Sequence, residues 1–128
     1  MKLLLDTVTF LWLVVDDPRL SSTAREAVIH PDNELLLSAV SAWEIAVKHR
    51  IGRLPLPEDP RQLVPRARAT HGIDALPFDE DAALQLGALP ELHRDPFDRM
   101  LVCQAFVNGL SIVTPDDAVR QYPVRTIW

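Results

Sequence analysis

The sequence is poor in the features that mark several common classes of protein. A single cysteine, Cys103, excludes an internal disulfide and any zinc site built from cysteine pairs. No apolar run approaches the roughly 20 residues of a membrane-spanning helix. The first apolar run, Leu3–Leu5, is broken early by Asp6, which is unlike a signal peptide. We therefore expect a cytoplasmic protein in a reducing compartment.

Positive charge is also scarce, with 13 Lys and Arg against 18 Asp and Glu and a net charge of −5. This balance excludes nucleic-acid binding driven by overall charge, as in histone-like proteins. It does not exclude an enzyme that acts on nucleic acid, because local patches of positive charge and bound cations can oppose the net negative charge. The composition, 48% apolar and 24% charged, is ordinary for a globular protein, and the length of 128 residues predicts one domain over residues 1–128.

Short apolar runs alternate with helical segments along the chain. The predicted strands are residues 2–5, 34–37, 110–114 and 124–128, with 75–77 as a short strand or a bend. Fully apolar strands that alternate with helices predict a parallel sheet covered by helices on both faces. The predicted helices are residues 7–15, a segment capped by Ser21 or Ser22 that stops before Pro31, and residues 39–51, 61–71, 79–86, 96–108 and 116–121.

Four acidic residues lie near the carboxyl ends of these strands. Asp6 directly follows the first strand, and Asp116 lies just beyond the strand at 110–114. Glu44 lies about two turns into the helix after the second strand, and Asp98 is in the first turn of the helix that begins at 96. Open α/β sheets bind ligands at this edge, so these side chains can face one site although they are far apart in sequence.

Crowded carboxylates favour a bound cation. Two unit charges about 4 Å apart repel by about 4 kcal/mol at an effective dielectric of 20, so a site with four acids would take up protons or a metal. Oxygen ligands without histidine or cysteine select Mg²⁺ or Mn²⁺. These ions polarise phosphoryl oxygens and activate water, which is the chemistry of metal-dependent nucleases and phosphatases.

Each acid also has a purely structural interpretation. Asp6 could cap the helix that follows it, and Asp116 or its neighbour Asp117 could cap the short last helix. Glu44 could close a capping box with Ser41, and Asp98 could favour the amino end of its helix electrostatically. The shared location of the four acids therefore carries the hypothesis, and no single residue does.

The basic residues near these acids fall into two groups. Lys48 and Arg50, with their neighbours His49 and Arg53, end a predicted helix, where they complement the helix dipole or contact phosphate. Arg94 and Arg99 flank the proposed acidic site and are the better candidates for holding a phosphate backbone.

Other side chains with reactive or aromatic groups favour structural roles. Cys103 is expected in the core, and Trp12 and Trp43 are expected to pack there because they lie among apolar residues at helical spacing. The histidines show no ligand spacing and are expected on the surface or in loops, at His30, His49, His71 and His93.

The motifs that contain the acids resemble those of PIN-domain ribonucleases, particularly the VapC-type toxins of toxin–antitoxin pairs. Many relatives carry a histidine where this chain has Val8. The resemblance spans nearly the whole chain in the same order, through the segments Leu3–Thr7, Ser38–Lys48, His93–Leu101 and Val113–Asp116, and the closing Ile127 and Trp128 are typical of one VapC branch.

The resemblance implies an α/β/α sandwich, dependence on Mg²⁺ or Mn²⁺, and endonucleolytic cleavage of RNA. It also implies a homodimer and inhibition by a small antitoxin partner. Its acidic positions fall on Asp6, Glu44, Asp98 and Asp116, with Thr114 as a supporting hydroxyl and Asp95 as a neighbouring carboxylate.

Two other functions remain open. A non-catalytic PIN-like module could bind RNA or a partner protein, although such a module would be free to lose some of the four acids. A phosphatase of the haloacid dehalogenase type also places an aspartate after its first strand, but it needs a second aspartate where this chain has Val8.

Overall fold

The computed structural model describes residues 1–128 and contains one five-stranded parallel sheet. Its strand order is β3-β2-β1-β4-β5, and every neighbouring pair is parallel. The predicted parallel sheet is therefore confirmed, and the uncertain segment near 75–77 is a true strand that starts earlier. The strands are β1 Lys2–Leu5, β2 Glu34–Ser38, β3 Ile73–Leu76, β4 Ser111–Val113 and β5 Thr126–Ile127.

The helices lie close to their predicted positions. The helix predicted at 61–71 begins at Pro60, because Asp59 caps it, and it continues through Pro65. The helix predicted to reach Leu86 ends at Leu84 and passes into a 3-10 turn at Gln85–Ala88. No helix is both long enough and apolar enough to span a membrane. The helices are α1 Thr7–Val14, α2 Ser22–Ile29, α3 Ala39–Arg50, α4 Pro60–His71, α5 Glu80–Leu84, α6 Pro96–Asn108 and α7 Asp117–Arg120.

The sheet separates two apolar cores. Successive β1 residues point to opposite faces, so Leu3 and Leu5 pack with Phe10 of α1 and Ile45 of α3. Leu4 packs on the other face, with α6 and α7. Each such fully buried side chain contributes about 1.5–3 kcal/mol to folding. The chain thus forms the expected three-layer α/β/α sandwich.

One predicted core residue lies elsewhere. Trp43 is 67% exposed, so the prediction that it packs in the core is wrong. Helix α3 turns Ser41, Glu44 and Ile45 toward the protein, and Trp43 lies about 100° around the helix from Glu44. Trp12 is half-buried, and its ring contacts that of Trp128.

Candidate active site

Asp6 lies at the end of β1 and caps α1. Its Oδ1 accepts a hydrogen bond from the Thr9 amide at 2.8 Å, and its Oδ2 accepts one from the Thr114 hydroxyl at 2.5 Å. Burial raises the pKa of Asp6, and the nearby charge of Asp116 raises it further. The capping interpretation is thus correct, and the same carboxylate also lies within the field of a second acid.

Asp98 occupies the first turn of α6, whose cap is Asp95. The Asp95 Oδ1 accepts hydrogen bonds from the amides of Phe97 and Asp98 at 2.9 and 3.2 Å. Burial raises the pKa of Asp98 to about 8, with further contributions from Asp95, from Asp116 through its charge and a side-chain hydrogen bond, and from Asp6. The fold has therefore brought together acids from three separate parts of the chain.

Thr114 connects two of these acids. Its hydroxyl donates to Asp6, and its oxygen accepts from the Asp116 amide at 3.0 Å. Asp116 in turn caps α7 by accepting from the Ala118 amide at 2.9 Å. The adjacent Asp117 side chain is 92% exposed and pairs with Arg120, so Asp116 is the member of this pair that faces the other acids.

Glu44 is buried on α3 and is held by other partners. Its Oε1 accepts from the Thr7 hydroxyl at 2.7 Å, and its Oε2 forms an ion pair with Lys48. The capping-box interpretation of Ser41 and Glu44 is wrong, because Ser38 caps α3 and the helix starts before Ser41. Thr7 follows Asp6 directly, so its hydroxyl places Glu44 at the same edge of the sheet.

The acids offer the oxygen ligands that Mg²⁺ and Mn²⁺ prefer, and their mutual repulsion fits a bound cation. No three histidine, cysteine or acidic side chains are already arranged to hold a metal ion. The hydrogen bonds explain this, because Asp6, Asp116 and Glu44 are each drawn toward donors of their own. A cation at this edge would have to compete with those donors.

The basic candidates occupy different environments. Arg99 donates from one nitrogen to the carbonyls of Pro90 and His93 and to the Tyr122 hydroxyl. Arg94 and Arg99 both line an open cavity of about 840 Å³ that His93 also borders. Lys48 is engaged by Glu44, and Arg50 is exposed at the end of α3. Arg94 and Arg50 are therefore the less constrained of the four.

His93 was missed as a site residue. Its side chain is only 16% exposed, and its ring lies between the Tyr122 hydroxyl at 2.7 Å and the Asp98 Oδ2 at 3.4 Å. It lies in a loop, as expected of a surface or loop histidine, but its side chain is mostly buried. The one feature of the sequence that points to His93 is its position five residues before Asp98. Its contact with Tyr122 depends on the tertiary fold and cannot be predicted from the sequence.

Known proteins resemble this chain in sequence along nearly its whole length. The PIN domain profile matches residues 3–124. Ribonuclease VapC22 of Mycobacterium tuberculosis is 33% identical over 134 aligned positions that cover 98% of this chain and 97% of the relative. Ribonuclease VapC16 of the same organism is 42% identical over 66 residues, 48% of this chain and 47% of that protein.

A solved structure has the same fold. The crystal structure of VapBC2 from Rickettsia felis, bound to a DNA fragment from its promoter, matches with a TM-score of 0.73 at 12% identity. The match covers 98% of this chain and 97% of the other. At this identity the likeness concerns the fold alone.

Proposed function

The chain belongs to the PIN-domain family, and from this premise we propose that it is a metal-dependent endoribonuclease acting as the toxin of a toxin–antitoxin pair. The observation that carries the proposal is the gathering of Asp6, Asp98 and Asp116 at the carboxyl edge of the sheet. Burial raises the pKa of Asp98 to about 8, and the charges of Asp95, Asp116 and Asp6 add to the shift. Neither a lysine nor an arginine forms an ion pair with any of these three acids, whereas Glu44 pairs with Lys48.

Asp6, Asp98 and Asp116 would hold one or two Mg²⁺ or Mn²⁺ ions, with Glu44 as a further ligand or as the group that orients the attacking water. When bound, such an ion supplies a Lewis acid for the phosphoryl oxygens and a water nucleophile at neutral pH. Thr114 donates to the Asp6 carboxylate and accepts from the Asp116 backbone amide, which ties the two segments together, and Asp95 fixes the amino end of α6 that carries Asp98. Attack by water would leave a 5′-phosphate and a 3′-hydroxyl.

The RNA backbone would lie along the basic residues that flank the acids. Arg94 and Arg99 line the open cavity near Asp98, and Lys48 and Arg50 lie at the end of α3. Guanidinium and ammonium groups contact phosphates without reading the sequence, so these four residues would position RNA rather than select it. The acidic edge repels RNA until cations bind, so we expect both binding and cleavage to need metal.

The partner we propose is a small VapB-like antitoxin, and the active form is a homodimer. The support for the antitoxin is that the matched structure is a VapBC complex and that the chain shares its fold. A cytoplasmic location is part of the same proposal, because the RNA substrate and the antitoxin would be encountered there.

The direct test uses total RNA and the purified protein, with Mg²⁺ or with EDTA. New 5′ ends mapped by sequencing should appear only with Mg²⁺, and they should carry phosphate. Cleavage that continues in EDTA, or products with a 5′-hydroxyl, would contradict the proposed chemistry.

A second candidate is a PIN module that binds RNA or a protein without cutting. It is favoured by one observation, namely that no three acidic or histidine side chains are already arranged around a metal position. Isothermal titration with Mn²⁺ separates the two functions. The nuclease should bind the ion, whereas an interaction module has no need of it.

A further inference from the structure

A chain of hydrogen bonds runs from Arg99 to Asp98 through two side chains. Arg99 Nη1 lies 3.1 Å from the Tyr122 hydroxyl oxygen, which lies 2.7 Å from His93 Nδ1. The other ring nitrogen, Nε2, lies 3.4 Å from Asp98 Oδ2. The chain thus begins at a permanent donor and ends at one of the proposed metal ligands.

The chemistry of the donors sets the direction of each bond. Arginine can only donate, so the Tyr122 oxygen accepts from Arg99. Tyr122 is 3% exposed, and its own hydroxyl hydrogen needs an acceptor, since a buried unpaired donor costs about 1–3 kcal/mol. That acceptor is His93 Nδ1, so the neutral imidazole carries its hydrogen on Nε2, facing Asp98.

The surroundings hold the imidazole in this orientation. The rings of His93 and Tyr122 pack with centroids 5.3 Å apart at a tilt of 59°. Arg99 also donates to the His93 carbonyl at 3.2 Å, which fixes the loop backbone beneath the ring. A ring with both nitrogens in contact, packed against Tyr122, is a rigid support for a carboxylate.

We propose that His93 is a positioning residue, held as the Nε2–H tautomer by Tyr122, that orients the Asp98 carboxylate toward the cation site. The inference rests on the proposed function, because that function makes Asp98 a metal ligand. Side chains that orient metal ligands through hydrogen bonds typically change metal affinity or activity by 10- to 100-fold when removed. At 3.4 Å the bond to Asp98 is a long one, so we expect an effect at the lower end, about tenfold.

The tautomer can be measured without any activity. Nitrogen-15 NMR of the histidine rings distinguishes a protonated Nε2 from a protonated Nδ1. For His93 in the metal-free protein we expect the Nε2–H form, and in Tyr122→Phe we expect that preference to weaken. An Nδ1–H ring in the unaltered protein would overturn the proposal, because that nitrogen would then donate to Tyr122.

The effect on the cation is measured by titrating Mn²⁺ into three proteins. His93→Leu replaces the imidazole with an apolar side chain that has no donor, so the dissociation constant should rise about tenfold. His93→Gln has an amide that reaches as far as Nε2 and should recover most of the affinity. His71→Gln, at the end of α4, is the matched control and should bind as the unaltered protein does.

The outcomes separate the inference from the proposed function. Equal Mn²⁺ affinity in His93→Leu and the unaltered protein would overturn the positioning role while leaving the nuclease intact. If the unaltered protein binds no Mn²⁺, the metal-dependent function fails, and with it any role of His93 at a cation site. A Mn²⁺ affinity that is near normal in His93→Gln but weak in His93→Leu supports the proposal, because loss of packing alone would weaken binding in both variants.

Discussion

The central residue of the site is Thr114, which is not an acid. It is fully buried and contacts Asp6 with its hydrogen and the Asp116 amide with its oxygen. One hydroxyl therefore sets the relation between the end of β1 and the segment that follows β4. The Asp6 carboxylate is held by this hydroxyl on one oxygen and by the Thr9 amide on the other.

We predict that Thr114→Val destabilises the protein, although the two side chains have nearly the same shape. Valine leaves Asp6 Oδ2 and the Asp116 amide without their partner, and a buried unpaired group costs about 1–3 kcal/mol. Urea unfolding measures the difference, with Thr114→Ser as the control because it keeps the hydroxyl. A valine variant as stable as the unaltered protein would show that the hydroxyl contributes little, and the serine variant measures the separate cost of losing the buried methyl group.

A second prediction at this scale distinguishes two adjacent aspartates. Asp116→Asn removes a charge from the coupled acids and should lower RNA cleavage at least 100-fold, on the order of the loss from removing one group of a catalytic electrostatic set. Asp117→Asn alters an exposed ion pair with Arg120 and should leave cleavage unchanged. The rate of cleavage of one defined RNA, followed at fixed Mg²⁺, measures both.

At the scale of elements, the sequence predicts the strands and helices well because their signals are local. The apolar run at Leu3–Leu5 is fully buried, and the pair Asp95-Pro96 starts α6 where a cap followed by proline predicts it. The capping box at Ser41, one of the two interpretations of Glu44, does not form, because Ser38 at the end of β2 caps α3.

What the sequence could not predict depends on contacts between distant elements. The burial of His93 requires Tyr122 from beyond α7, and the exposure of Trp43 requires knowledge of which face of α3 meets the sheet. The four acids could be predicted to share an edge, since parallel strands align their carboxyl ends. That Glu44 pairs with Lys48 while the three aspartates interact with one another depends on side-chain directions, and their role as metal ligands stays a prediction.

Helix α4 supplies a prediction about an element. Pro65 interrupts its backbone hydrogen bonding on the exposed side, and the helix persists because Leu63, Val64 and Ala67 are buried. Proline is about 3 kcal/mol less favourable than alanine inside a helix, so Pro65→Ala should stabilise the protein by about 1–3 kcal/mol. Pro60→Ala is the control, since proline is tolerated at the first helical position. Equal unfolding midpoints for the two variants would contradict this account.

At the scale of the whole molecule, the fold concentrates negative charge at one edge of the sheet. A protein with a net charge of −5 gains nothing from placing three acids together unless something neutralises them. In the absence of a cation, a proton on Asp98 can lower this negative charge. Burial and the neighbouring acids raise the pKa of Asp98 and so favour that proton. The stability of the protein should therefore depend on pH and on divalent ions together.

The sign of this dependence follows from the direction of the shift. The pKa of Asp98 rises from 3.8 in the unfolded chain to about 8 in the fold, so between these values the folded state binds the extra proton. Its contribution to stability is complete below about pH 4 and is lost as the pH rises through about 8. We predict that in EDTA the urea midpoint falls between pH 5 and pH 8.5 more steeply for the unaltered protein than for Asp98→Asn.

A divalent cation should reverse much of this loss, because it neutralises the ionised acids that repel one another. At pH 8.5, Mg²⁺ should raise the urea midpoint of the unaltered protein and have little effect on Asp98→Asn. A ligand that binds only the folded state at 100 times its dissociation constant stabilises by about 2.7 kcal/mol, which such a measurement resolves easily. If Mg²⁺ stabilises both proteins equally, the ion binds elsewhere, and the acidic edge is not the site that it neutralises.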